Sequence, residues 1–281
     1  MENEPVIKWT GSKKSQVDEI LKYIPLNINT YYEPFIGGGS IMYKVLTQRN
    51  VKSFICSDIN LDLIELWNLI KYEPNKLIEH YDLLWYELFS IKNIEEKKNF
   101  YYEIRERFNK YKDIKDFFFL IRTSVNGIIR YNSKKEFNTS FHFSRDGITP
   151  KNVKKIIYNW SNKIKKVTFI CQDYKNIITN NNDFIYLDPP YYHTTSQYYG
   201  KIDYIEFFNW VRTLKCSYLL SFDGKSNSIN NTYMVPHDIY DTHIYNKGRR
   251  SMIRQLSNHN NLEYIQESLY IKNCSKQVKF G

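Results

Sequence analysis

The chain has 281 residues, with 40 Lys+Arg against 30 Asp+Glu for a net charge of +10, and a pI near 9.1. Gly and Pro number only 10 and 8 while Tyr reaches 25, which excludes a collagenous chain, a Pro-rich linker or a low-complexity tail. At 42% hydrophobic it can bury the core of one large domain, or of one domain with an insertion, and its basic balance favours an acidic partner such as nucleic acid or an anionic surface.

The predicted elements alternate at first. Strand signals at Asn29 to Phe35 and Ser53 to Ser57 flank a helical stretch from Ser40 to Thr47. From Leu61 to Ile129 the pattern is helical throughout, as in Leu63-Ile64-x-Leu66-Trp67-x-x-Ile70 and Phe100-Tyr101-x-x-Ile104-x-x-x-Phe108. A polar segment from Arg130 to Asn138 follows. Strand signals return at Val167 to Cys171, Phe184 to Leu187, Ser217 to Phe222, Ile239 to Ile244 and Ser268 to Ile271, with a helical crossover at Tyr204 to Leu214. The first three of these read as apolar on both faces, as parallel strands covered by helices do. The expectation is a doubly wound α/β fold, interrupted after its second strand by a helical insertion of roughly ninety residues.

No apolar run approaches the ~18 residues that span a bilayer; the longest lies around Phe117 to Ile121. Met1 to Pro5 lacks the apolar stretch of a signal peptide. Cys56, Cys171, Cys216 and Cys274 lie far apart without a Cys-x-x-Cys pair. The expectation is a cytoplasmic protein with reduced thiols and no metal.

The scarce glycines and prolines cluster. Gly37-Gly38-Gly39 follows one strand signal and precedes a helix, an order that brings backbone close to a ligand at the carboxyl edge of a sheet, or makes a plain tight turn. It matches neither Gly-x-x-x-x-Gly-Lys-Ser nor Gly-x-Gly-x-x-Gly. Asp58 ends the second strand, where a carboxylate can accept from ribose hydroxyls; alternatively Asp58 or Asn60 caps the next helix. Asp188-Pro189-Pro190-Tyr191 ends the fourth strand. A carboxylate, a proline carbonyl and an aromatic face together suit a planar amino group, although a strand-ending Asx-Pro turn with a surface Tyr would look the same.

Four motifs in one order carry a resemblance: Lys8-Trp9-Thr10-Gly11-Ser12-Lys13, Glu33-Pro34-Phe35-Ile36-Gly37-Gly38-Gly39-Ser40, Ser57-Asp58-Ile59-Asn60 and Asp188-Pro189-Pro190-Tyr191. The chain resembles the Dam-like, alpha-group adenine-specific DNA methyltransferases over nearly its whole length. The resemblance implies a Rossmann-like S-adenosylmethionine-binding catalytic domain from residues 1–61 and 162–281, with a helical target-recognition insertion at 62–161. It implies cofactor contacts from Trp9, Lys13, Phe35, Gly37, Gly38, Gly39, Asp58, Asp173, Tyr174 and Asp188. Taken alone, Trp9 would read as a buried helix anchor and Lys13 as a solvated charge. It further implies that Asp188, Pro189, Pro190 and Tyr191 hold an adenine flipped out of double-stranded DNA for methylation of its 6-amino group.

For target reading, the resemblance points to Lys8, Asn126, Arg130, Tyr131, Asn132 and Asn138, with Arg130 placed for a guanine-type edge. The match breaks after Phe137-Asn138, where Thr139-Ser140-Phe141-His142-Phe143 replaces the Val-Pro-Phe-Gly-like run of GATC-specific relatives, and Val125 stands where some relatives have an aromatic wedge. GATC specificity therefore does not carry over. Arg249, Arg250 and Arg254 lie in a basic loop between the last two strand signals, a phosphate clamp or a solvated hairpin tip. His193, beside the Asp-Pro-Pro-Tyr motif, supports no metal by itself. A cognate restriction endonuclease is a partner such enzymes can have, and monomer is the default state. Alternatives are a silent DNA-binding or specificity subunit on the same scaffold, or a methylase of cytosine 4-amino groups or RNA.

Overall fold

A computed structural model describes residues 4–9, 11–144, 147–191, 202–226, 232, 234–246, 249–250 and 264–277. A short helix α1 (Val17–Leu21) leads into strand β1 (Asn27–Glu33), helix α2 (Ser40–Gln48) and strand β2 (Asn50–Asp58). Five helices follow: α3 (Leu61–Tyr72), α4 (Pro74–Ser90), α5 (Ile94–Tyr111), α6 (Ile114–Thr123) and α7 (Pro150–Lys163). The chain then forms β3 (Val167–Cys171), β4 (Phe184–Leu187), α8 (Tyr204–Thr213), β5 (Ser217–Ser226), β6 (Thr242–Tyr245), the two-residue β7 (Arg249–Arg250) and β8 (Tyr264–Lys272).

The strands form one sheet in the order β3-β2-β1-β4-β5-β8-β6, with β7 also paired to β8. Strands β3, β2, β1, β4 and β5 are parallel, and β8 lies antiparallel between β5 and β6. Reversal of strand order beside β1 is what a doubly wound α/β fold requires, and ligands in such folds bind beyond the carboxyl ends of the strands. All four residues of β4 are buried. The expectation of two buried faces fails for β3, whose Thr168 and Ile170 are exposed because β3 is the sheet's edge. Ile239 belongs to a 3-10 turn before β6, and the basic loop contains β7.

Helix α3 packs on β2 and β3 as well as on α4, α6 and α7, so the helices between β2 and β3 are fastened to the sheet. Trp67 of α3 stacks on Phe169 of β3 at 5.3 Å and meets Trp160 of α7 at 5.2 Å. Farther out, burial would raise the Asp116 carboxyl, but Arg107 and His80, both at 2.7 Å, hold it below the usual range. Among the described residues no helix is long and apolar enough to cross a membrane.

Candidate active site

Pro34 and Phe35 lead β1 into a turn where Gly37 (φ +44°) and Gly39 (φ +66°) take left-handed backbone. Space matters as much as φ: a Cβ on Gly37 would lie 2.7 Å from the Trp9 ring, and one on Gly38 would lie 3.1 Å from the Trp9 Cβ. Trp9 is thus laid against the glycine turn, and is not a helix anchor. The Trp67 indole donates to the Gly37 carbonyl at 3.1 Å, so α3 fixes the turn from the other side.

Asp58 and Asn60 divide their work. The Asn60 side chain caps α3 by accepting from the Leu63 N–H at 3.2 Å. Asp58 accepts backbone N–H groups of Asn60, Gly37 and Ile59, which tie the end of β2 to the glycine turn; burial nevertheless pushes its carboxyl up to about 6. After β3, Asp173 caps a short turn by accepting from the Lys175 N–H at 2.9 Å. Tyr174 is buried and packs its ring 5.7 Å from Phe35 and 4.9 Å from Trp210. Phe35, half-buried at the mouth of this aromatic cluster, stands between it and the glycine turn.

The end of β4 carries the strongest electrostatics. The Lys13 ammonium, with only 3% of its side chain exposed, lies 2.9 Å from Asp188 and 3.3 Å from Glu267, and donates to the Gly11 carbonyl at 3.1 Å. The reading of Lys13 as a solvated charge is therefore wrong. Its ammonium sits 4.9 Å from the centre of the Tyr191 ring. The Tyr191 hydroxyl is 3.1 Å from Glu267 and 3.3 Å from Asp188. Burial raises the Asp188 carboxyl, Lys13 pulls it back, and the Glu267 charge raises it again. The Pro190 carbonyl accepts from the Tyr204 hydroxyl at 2.6 Å. Glu33, buried at the end of β1, accepts from the Tyr31 hydroxyl at 2.6 Å, and burial pushes it up to about 8.

The residues expected to read DNA fall into a loop after α6. Gly127 takes φ +64°, and a Cβ there would lie 2.6 Å from the Lys8 Cβ, so Lys8 lies against this loop. The exposed Arg130 guanidinium donates to the Asn138 side-chain oxygen at 2.8 Å. The Tyr131 hydroxyl donates to Asp62 of α3 at 2.8 Å. Asn132 accepts from the Lys134 and Glu136 N–H groups and donates to the Glu136 carboxylate, which closes the turn. Only the backbone of Asn126, Arg249 and Arg250 is described, the arginines forming β7. Arg254 and His193 lie outside the described residues.

Glu267 and Trp67 were missed by sequence reasoning. The expected last strand began one residue after Glu267, and a lone carboxylate entering an apolar strand was the available signal. Trp67 read as one apolar position of a helix, which it also is.

The D12 class N6 adenine-specific DNA methyltransferase family matches residues 9–253. The type II methyltransferase M.MjaIII of Methanocaldococcus jannaschii is 32% identical over 255 residues, spanning 84% of this chain and 86% of that protein. DNA adenine methylases of Haemophilus influenzae and Escherichia coli are 30% identical over 197 and 195 residues, spanning 68% and 67% of this chain and 65% of each relative. All four motifs except Lys8, and strands β1 to β7, fall within the family match, and the chain belongs to the D12 class N6 adenine-specific DNA methyltransferases.

Proposed function

We propose that the methyl donor is S-adenosylmethionine and that Asp188, Pro189, Pro190 and Tyr191 hold the 6-amino group of a flipped adenine. The observation that carries this reading is the environment of Asp188 at the end of β4, fixed by Lys13 at 2.9 Å beside the Tyr191 ring. The residues present suit the donor. Gly37 and Gly38 bring bare backbone and the Trp9 ring into close approach, Asp58 offers a carboxylate for ribose hydroxyls, and Phe35 and Tyr174 offer aromatic surface. When bound, S-adenosylmethionine supplies an electrophilic methyl whose bonding pair stays with sulfur as the methyl leaves.

The protein's part is to aim and localise the nitrogen lone pair, which adenine delocalises into its ring. Asp188 accepts one amino hydrogen. The resemblance assigns the second hydrogen to the Pro189 carbonyl, while the Pro190 carbonyl accepts from the Tyr204 hydroxyl. Two acceptors on one side draw the nitrogen toward tetrahedral geometry and leave its lone pair on the other, so orientation and electrostatics supply the catalysis. The nitrogen gains positive charge as its bond to the methyl forms, and Asp188 is placed to take the proton it then loses.

Residues 62–161 would serve as target-recognition insertion, with Arg130 reading a base edge and Lys8 beside the same loop; Tyr131 and Asn132 shape that loop through Asp62 and Glu136. Arg249, Arg250 and Arg254 would clamp phosphates, in keeping with the +10 net charge. A modification role beside a cognate endonuclease is in keeping with the type II relative; the enzyme would act as a monomer in the cytoplasm. Incubating unmethylated plasmid with S-adenosylmethionine and sequencing for modified bases tests the activity and yields the recognition site. Asp188→Ala should abolish transfer with the fold intact; normal turnover in that variant would refute the mechanism.

A further inference from the structure

We infer that Glu267 is a positioning residue for methyl transfer: it takes the Tyr191 hydroxyl and shares the Lys13 ammonium, so that Asp188 stays open to the target amino group. The inference rests on the proposed role of Asp188. Tyr191 has one hydroxyl hydrogen and two acceptors within reach, Glu267 at 3.1 Å and Asp188 at 3.3 Å. Given to Asp188, that hydrogen would fall on the Oδ1 that Lys13 already holds and, by drawing off its charge, weaken the carboxylate that must accept the amino hydrogen. Given to Glu267, it locks the Tyr191 ring and leaves the Asp188 carboxylate the stronger acceptor.

The backbone is built to put Glu267 there. Strands β5 and β8 pair Phe222 with Ser268 and Lys225 with Gln266, so Asp223 and Gly224 together face Glu267 alone. Such a bulge re-aims a side chain in a sheet. It also requires Gly224: a Cβ there would lie 1.8 Å from the Gln266 carbonyl oxygen and 2.9 Å from the Glu267 Cα. The Glu267 side chain is 3% exposed, and among the described residues it is ion-paired with the same buried Lys13 that serves Asp188. Glu267 thus sets the negative field of a second carboxylate beside Asp188. That field favours the charge that develops on the amino nitrogen as its lone pair forms the bond to the methyl and the methyl–sulfur pair departs with sulfur.

Glu267→Gln keeps the shape and an acceptor but removes the charge; Glu267→Leu removes both. Among the described residues the groups facing Asp188 are Lys13, Tyr191, Glu267, Glu33 and Tyr186, and of these only Glu267 changes. Single-turnover transfer of tritiated methyl to unmethylated plasmid should fall roughly tenfold in Glu267→Gln and roughly a hundredfold in Glu267→Leu, with KM for DNA within about twofold. Loss of the neighbouring negative charge should also move the acid limb of the rate profile in Glu267→Gln to lower pH. Adding Tyr191→Phe to Glu267→Leu should restore part of the rate, because the competing hydroxyl is gone. Should Glu267→Leu not fold, the rate and pH profile of Glu267→Gln decide alone. A native rate, or a slowed enzyme with an unmoved acid limb, overturns the inference. If Asp188→Ala is dead while Glu267→Gln is normal, only this inference falls; if Asp188→Ala turns over, the reading beneath it falls as well.

Discussion

Glu33 makes a test of the site's electrostatics that needs neither donor nor DNA. Its carboxyl is buried at the end of β1, accepts from the Tyr31 hydroxyl and the Met42 backbone N–H, and is pushed from an ordinary value of 4.5 up to about 8. Below pH 4.5 the folded and unfolded chains both hold the proton, and the group makes no difference to stability. Between 4.5 and about 8 the unfolded chain has released it and the folded chain has not, so stability falls by about 1.4 kcal/mol per pH unit. At pH 7 the accumulated loss is roughly 3 kcal/mol, and above pH 8 it grows no further. Glu33→Gln keeps the shape and an oxygen for Tyr31 but has no proton to hold. Urea unfolding followed by tryptophan fluorescence at pH 5, 6, 7 and 8 should show the variant close to the native protein at pH 5 and increasingly more stable as pH rises. Asp58 and Asp188 are also raised, but they occur in both proteins and cancel in the difference. A stability difference that does not vary with pH would refute the reasoning, since it would mean that Glu33 ionises normally in the fold.

The Asp58 carboxyl, raised to about 6, should bind ribose hydroxyls only once ionised. Calorimetry should find donor affinity strengthening roughly tenfold from pH 5 to 7, and Asp58→Asn should weaken binding and flatten that dependence. Gly37→Ala forces a methyl to within 2.7 Å of the Trp9 ring at a φ that Ala resists, so donor affinity should fall at least about tenfold; an unchanged Kd would show that Trp9 and the turn do not form the site. Lys13→Met strands two buried carboxylates and should cost roughly 3–5 kcal/mol in urea unfolding at pH 7, with the loss shrinking at acidic pH as they take up protons.

What the sequence made legible depended on how local the cause was. Strands β3 and β4 occupy the expected residues because short β-branched and aromatic runs bounded by polar turns need no distant information. The glycine turn was legible for the same reason, since left-handed backbone in a tight turn favours glycine. That β3 is an edge strand was not legible, because edge or centre is a property of strand order. Lys13 was singled out only through the resemblance: by itself it is one of many lysines, and its burial follows from carboxylates at the end of β4 and on β8, brought in from the other end of the chain. Tyr131 and Asn132 show the converse. Their residue types suit base contact, yet in the fold Asp62 and Glu136 engage them and leave both half-buried, whereas the adjacent Arg130 stands exposed.

The point of attachment of the proposed insertion has a physical logic of its own. Helix α3 starts three residues after Asp58 and the chain returns at β3, which ends two residues before Asp173, so both roots are walls of the proposed donor site. Helix α3 turns that proximity into contact, because Trp67 holds the Gly37 carbonyl while Asp62, five residues earlier, holds Tyr131 of the loop proposed to read DNA. The N-terminal segment repeats the connection, with Lys8 against Gly127 and its neighbour Trp9 against Gly37. Two adjacent residues, and two residues on one helix, thus join the loop that would read DNA to the turn that would hold the donor.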